Sequence, residues 1–168
     1  MTSSNDVEGL GYDKEKQLLL LACKGSPNVK QKTSLKKTKT IYAYDLKNKQ
    51  LVELPYLTIS DDQIETFFKE QFKSNELSKN RKKKLRRALE FSPSAIAKNP
   101  VDNFMYILST VGKTMIVVNY KNEIQQIYFL DNDDYIQPEG ICFDSSGTMY
   151  ISNEGKRTSA NILKIDRD

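Results

Sequence analysis

The sequence predicts an all-β fold, a partial β-propeller of about three blades with a short helical insertion. Three observations lead there. One pattern recurs at Glu8-Gly9-Leu10-Gly11-Tyr12-Asp13, Ser94-Ala95-Ile96-Ala97-Lys98-Asn99-Pro100 and Glu139-Gly140-Ile141-Cys142-Phe143-Asp144, each a small or apolar run closed by a turn former. Strand-like runs follow each copy in the same order. And 45 residues separate Ser94 from Glu139, close to the roughly 40–50 of a four-stranded propeller blade. The 86 residues from Glu8 to Ser94 then amount to one blade and two insertions. The competing architecture is a β-sandwich with irregular strands.

In the first unit the inner strand is followed by a turn at Asp13–Gln17, a strand over Leu18–Cys23, the stretch Lys24–Lys39, a strand over Ile41–Leu46, a turn at Lys47-Asn48-Lys49 and a fourth strand over Leu51–Ile59. The stretch Lys24–Lys39 has no periodicity and reads as a mobile loop. Residues 60–90 form a helical insertion between the first and second blades. Ser60-Asp61-Asp62-Gln63 has capping-box form, and Ile64, Phe67, Phe68 and Phe72 follow at helical spacing, so an amphipathic helix begins at Ser60. A second short helix runs from Ser78 to Leu89, its Lys and Arg residues lying toward the end that favours cations. The second unit continues with strands over Phe104–Ser109, Thr114–Asn119 and Ile124–Leu130, and the third with Met149–Asn153 and Ile162–Ile165. Short turns rich in turn formers imply strict up-and-down connection. The whole of 1–168 reads as one partial propeller.

Composition narrows the chemistry. No apolar run approaches the length of a transmembrane helix, and the polar start Met1-Thr2-Ser3-Ser4-Asn5-Asp6 has no export-signal pattern. With no histidine, neither a Ser-His-Asp nor a Cys-His pair can be built from this chain. Cys23 and Cys142 lie in apolar strand-like runs without CxxC spacing and read as buried thiols, ahead of a disulfide or a metal ligand. The net charge of +4 conceals an uneven distribution: thirteen of the 26 Lys and Arg fall in two acid-free runs, Lys24–Lys39 and Lys79–Arg87, leaving 13 against 22 Asp and Glu, a body at −9. Neither basic run contains an aromatic residue, so nucleic acid is not an expected partner.

The stretch Asn5-Asp6-Val7-Glu8-Gly9-Leu10-Gly11-Tyr12-Asp13 with Leu19-Leu20-Leu21-Ala22-Cys23-Lys24 resembles a blade motif of the SdiA-regulated (YjiK-like) propellers. So do Phe91-Ser92-Pro93-Ser94-Ala95-Ile96-Ala97, Gln137-Pro138-Glu139-Gly140-Ile141 and Tyr150-Ile151-Ser152-Asn153-Glu154-Gly155, in the same order along nearly the whole chain. The resemblance implies a six-bladed type, related in shape to NHL-repeat and gluconolactonase-like propellers, and a place in the bacterial cell envelope. It corresponds to the C-terminal half of such a ring, so the expected partner is a missing N-terminal half or a second copy of the chain.

In a propeller the starts of the inner strands and the loops joining second to third strands open on one face. Here that face gathers Lys24–Lys39, Ser60–Glu90, Asp131–Tyr135 and Glu154–Ala160, with Glu8 and Glu139 at the channel mouth. Glu8, Glu139, Asn153 and Glu154 are the candidate metal ligands, and an all-oxygen set without histidine favours calcium over zinc. Each has a plainer reading: the glutamates satisfying backbone N–H groups, Asn153 and Glu154 capping a strand end. Asp131-Asn132-Asp133-Asp134 lacks the central Gly and final Glu of an EF-hand and reads as a solvated turn. The leading function is a non-enzymatic binding or scaffold propeller with calcium at the mouth. The alternatives are a metal-dependent hydrolase of lactonase or phosphoesterase type, and an interaction module acting through the basic arms.

Overall fold

The computed structural model describes residues 1–25, 37–72, 78–155 and 159–166. A single 3-10 turn at Ser3–Asn5 leads into β1 (Val7–Asp13), β2 (Leu18–Cys23), β3 (Thr38–Asp45), β4 (Gln50–Leu51) and β5 (Leu57–Ser60). Two helices follow, α1 (Asp61–Phe72) and α2 (Lys79–Leu89), then β6 (Pro93–Lys98), β7 (Met105–Ser109), β8 (Thr114–Val118) and β9 (Ile124–Phe129). The last group is β10 (Pro138–Phe143), β11 (Met149–Asn153) and β12 (Asn161–Ile165). The strands form three antiparallel sheets in chain order, β1-β2-β3 with β4 and β5, β6-β7-β8-β9, and β10-β11-β12. This is the blade-by-blade meander that the repeat predicts. Most of the Lys24–Lys39 stretch lies outside the described residues.

Each blade presents alternate residues of its strands to the next. Leu20, Ala22, Ile41 and Ala43 of the first blade meet Ile96, Ile107, Ile116 and Val118 of the second in one buried cluster. Ala95, Leu108 and Met115, on the other face of the second blade, pack with Ile151 of the third. Every residue of β8 is buried, because this interior strand of the second blade is covered on both faces. The inner strands approach closely, since a Cβ on Gly11 would stand 2.7 Å from the Ile96 carbonyl oxygen. At the end of β1, the carboxylate of Asp13 is wholly buried and reaches Lys98 of β6 at 3.3 Å, while Glu15 takes the same ammonium at 2.6 Å.

The insertion is part of the core. Ile64 and Phe68 of α1 and Ala88 of α2 join the cluster between the first two blades. The capping box is present: the Gln63 amide donates to Ser60 Oγ at 3.2 Å and the Ser60 amide to Gln63 Oε1 at 2.9 Å. Ser78 caps α2 through the Arg81 amide at 3.4 Å.

Two expectations need correction. The fourth strand of the first blade, expected over Leu51–Ile59, is two pieces, β4 pairing with Tyr44–Asp45 and β5 with Thr38–Ile41. Pro55 lies between them and has no N–H for the ladder, while Val52 and Tyr56 still reach the Ala43 and Ile41 carbonyls at 2.8 Å. Cys23 is buried, and that burial pushes its thiol above the ordinary value. Cys142 is exposed. It stands on the face of β10 turned away from the second blade, in register with Tyr150 and Lys164.

Candidate functional site at the channel mouth

A bulge opens each inner strand at the same point of the repeat. The register of β1 on β2 shifts between Val7 and Gly9, that of β6 on β7 between Pro93 and Ala95, and that of β10 on β11 between Pro138 and Gly140. The extra residues are Glu8, Ser94 and Glu139. A bulge leaves its residue out of the ladder and re-aims its side chain. At that point Glu8 is exposed, Glu139 half-buried and Ser94 buried.

Glu8 is held by Lys24, whose ammonium lies 2.9 Å from Glu8 Oε1. That hydrogen bond raises the lysine above its ordinary value, slight burial opposes it, and the charges of Glu8, Asp6 and Glu139 raise it further. Lys24 thus sits in the joint field of three carboxylates. Its backbone is fixed there because its amide donates to the Asp6 carbonyl at 2.9 Å and the Gly25 amide to the Asn5 carbonyl at 3.0 Å.

Glu139 accepts from Gln137 Nε2 at 3.3 Å and lies 3.1 Å from Thr110 Oγ1. Thr110 Oγ1 is also 2.6 Å from the Pro138 carbonyl oxygen, so its one proton serves one acceptor at a time. Ser94, the counterpart of the two glutamates, is buried and donates to that same carbonyl at 3.0 Å. Lys113 donates to the Ile136 carbonyl. Burial pulls Lys113 below its ordinary value, against the attraction of Glu139.

Gln137 also donates to Glu154 Oε2 at 2.6 Å, which ties Glu154 to Glu139 through a shared amide. Asn153 behaves differently. It is buried, and its Nδ2 donates to the Asp134 carbonyl at 3.0 Å and to Asn161 Oδ1 at 2.8 Å, bracing β12 and the 131–135 turn. Its Oδ1 is buried and accepts no hydrogen bond among the described residues. The structure therefore bonds Glu8 to Lys24, joins Glu139 to Glu154 through Gln137, and engages Asn153 in the blade itself. Among the described residues no three His, Cys, Asp or Glu side chains converge as a metal cluster.

Sequence reasoning missed Ser94, Lys24, Thr110 and Gln137 as site residues. Ser94 was within reach, since it occupies the repeat position of Glu8 and Glu139. Lys24 carried no signal, because its approach to Glu8 follows from the pairing of Val7 with Cys23.

A family model described as SdiA-regulated matches residues 2–157. The chain belongs to the SdiA-regulated family. Among solved structures, this SdiA-regulated chain is similar to one of the nidogen/laminin complex, at TM-score 0.51 and 13% identity over 96% of this chain and 49% of that one. It is similar to a luciferin-regenerating enzyme at TM-score 0.51 and 10% identity, over 94% of this chain and 44% of that one. A PQQ-bound aldose sugar dehydrogenase from Streptomyces coelicolor is also similar, at TM-score 0.49 and 14% identity over 94% and 42%. No curated protein sequence matches the chain. The chain spans about half the length of the structures it resembles, or less. At such identities the likeness concerns the fold alone, and the fold is of propeller type.

Proposed function

We propose that this SdiA-regulated chain is a binding or scaffold module of the bacterial cell envelope whose working surface is the channel mouth. The observation that carries the reading is the mutual engagement of the mouth's polar groups. Glu8 is bonded to Lys24, and both Glu139 and Glu154 to Gln137. A general base needs a lone pair aimed at a substrate proton, and these carboxylates already hold donors from the chain. Propellers host both assemblies and enzymes, so residues rather than fold must decide. Chromogenic lactone and phosphoester substrates test it. No turnover is expected, and a metal-dependent turnover lost in Glu139→Gln would replace this reading with a hydrolase.

Calcium is the ligand we propose for the mouth. Lys24 in the field of Glu8, Asp6 and Glu139 marks a spot that favours positive charge, and its oxygen donors suit a hard cation. Among the described residues there is no ready-made cluster, so calcium must displace the ammonium and recruit carbonyls and water. Lys24→Met is therefore expected to bind calcium more tightly than the parent, read by titration calorimetry and by melting temperature. Addition of Glu8→Gln or Glu139→Gln should abolish the gain; equal, absent binding in all variants would end the metal reading.

The ring is completed by further blades, from another half or from a second copy. The support is the apolar outer face of the first blade, with Leu10 66% and Tyr12 50% exposed, and the edge strand β12, where Ile162 is 71% exposed.

A further inference from the structure

On α2 the residues Lys79, Lys82, Lys83 and Arg86 fall at the i, i+3, i+4 and i+7 positions of one exposed helix face. None of the four side chains has a hydrogen bond or an ion pair among the described residues. The opposite side of α2 is fastened to the second blade. Arg87 donates from Nε to the Gly112 carbonyl at 2.9 Å and from Nη2 to the Lys113 and Leu130 carbonyls at 3.0 and 3.1 Å. Arg81 lies over the Phe72 ring at 4.3 Å, and Lys84 and Arg87 over Phe129 at 5.3 and 5.4 Å.

Like charges three and four residues apart destabilise a helix, and acids at these positions would have relieved the strain. The structure instead holds four unpaired cations in a row on an anchored helix. The row extends about 10 Å at the 1.5 Å rise of an α-helix.

We infer that this ridge docks the protein on an anionic lipid surface. The ridge is three lysines to one arginine, compact point charges suited to charge density rather than to the forked, planar recognition that arginine gives. The nearby rings, Phe72 and Phe129, are covered by cations of the same helix, which removes the stacking platforms that single-stranded nucleic acid uses. None of the four ridge residues is apolar, so the ridge rests on headgroups and does not insert. Attraction to such a surface acts within a Debye length, where the four cations outweigh the more distant acidic body.

The test is flotation of the full chain with vesicles of phosphatidylcholine, with and without phosphatidylglycerol, at low and physiological salt. Binding is expected only with phosphatidylglycerol and should weaken as salt rises. Lys82→Gln with Lys83→Gln, which keeps helix propensity, should weaken it roughly thirtyfold at the usual contribution per basic residue. Lys47→Gln with Lys49→Gln, the same charge change in the β3–β4 turn, should leave it nearly unchanged. The inference falls if the α2 variant binds as well as the parent or no worse than the turn variant, if neutral vesicles bind equally, or if duplex DNA at matched salt competes the chain off through the same two lysines.

Discussion

At Gly11 the space for a side chain is absent, because the Ile96 carbonyl oxygen already stands 2.7 Å from where a Cβ would be. Gly11→Ala must push the first two blades apart, and overpacking of this kind costs about 1–3 kcal/mol. The expected result is a lower urea midpoint with an unchanged m-value. Tyr106 offers a test in pH. Its hydroxyl donates to Asp102 at 2.9 Å, and burial first, then that carboxylate, push the phenol from 10.0 up to about 12. An acid whose folded value is raised holds its proton more tightly in the folded state. Its stabilisation is full below pH 10 and disappears as the pH rises through about 12. Absorbance titration should show a late tyrosinate component that shrinks in Tyr106→Phe, and ionisation of every tyrosine at the ordinary value would refute it. Among the site residues, Glu8 and Glu139 were legible because the repeat marks them. Their partners were not, since a hydrogen bond such as Lys24 to Glu8 depends on strand register.

Among the elements, the strands and the capped helix were legible wherever a local rule acts alone. Ser60 and Gln63 cap α1 as their spacing demands. The break between β4 and β5 was harder to see because apolar residues continue through Leu54 while Pro55 interrupts only the hydrogen-bond ladder. The burial of Cys142 was misjudged for a different reason. Its apolar neighbours declare a strand, but which face meets another blade is decided by the whole sheet. The anchoring of α2 was illegible, since nothing in the run Lys79–Arg87 distinguishes the cations that turn toward the blade from those that face outward. Arg87→Met should remove three carbonyl partners at once and cost about 3 kcal/mol, given the strength of charged hydrogen bonds. Hydrogen exchange should then quicken across α2 and leave β6–β9 protected; uniform exchange with the parent would show that the anchor is redundant.

For the whole molecule, the exposed outer faces of the first and third blades predict self-association. Sedimentation at rising concentration should show a reversible dimer, and Tyr12→Lys on the first blade should shift the balance toward monomer. A monomer at every concentration with full cooperative unfolding would remove the ring-completion proposal. Deleting residues 30–37, most of which lie outside the described residues, is expected to change the melting temperature little, because closure entropy depends only weakly on the length of the connecting segment.

The second blade carries one more consequence. Both buried clusters lie against its two faces, and the first and third blades each pack on β6–β9. Either flanking sheet can open while its distant counterpart stays closed, but loss of the middle sheet dismantles both at once. The chain should therefore show a hierarchy of local openings beneath its global unfolding, with the slowest-exchanging amides in β7 and β8. The Glu8 and Glu139 sides of the mouth are thus joined through that central sheet, on whose two faces their blades pack.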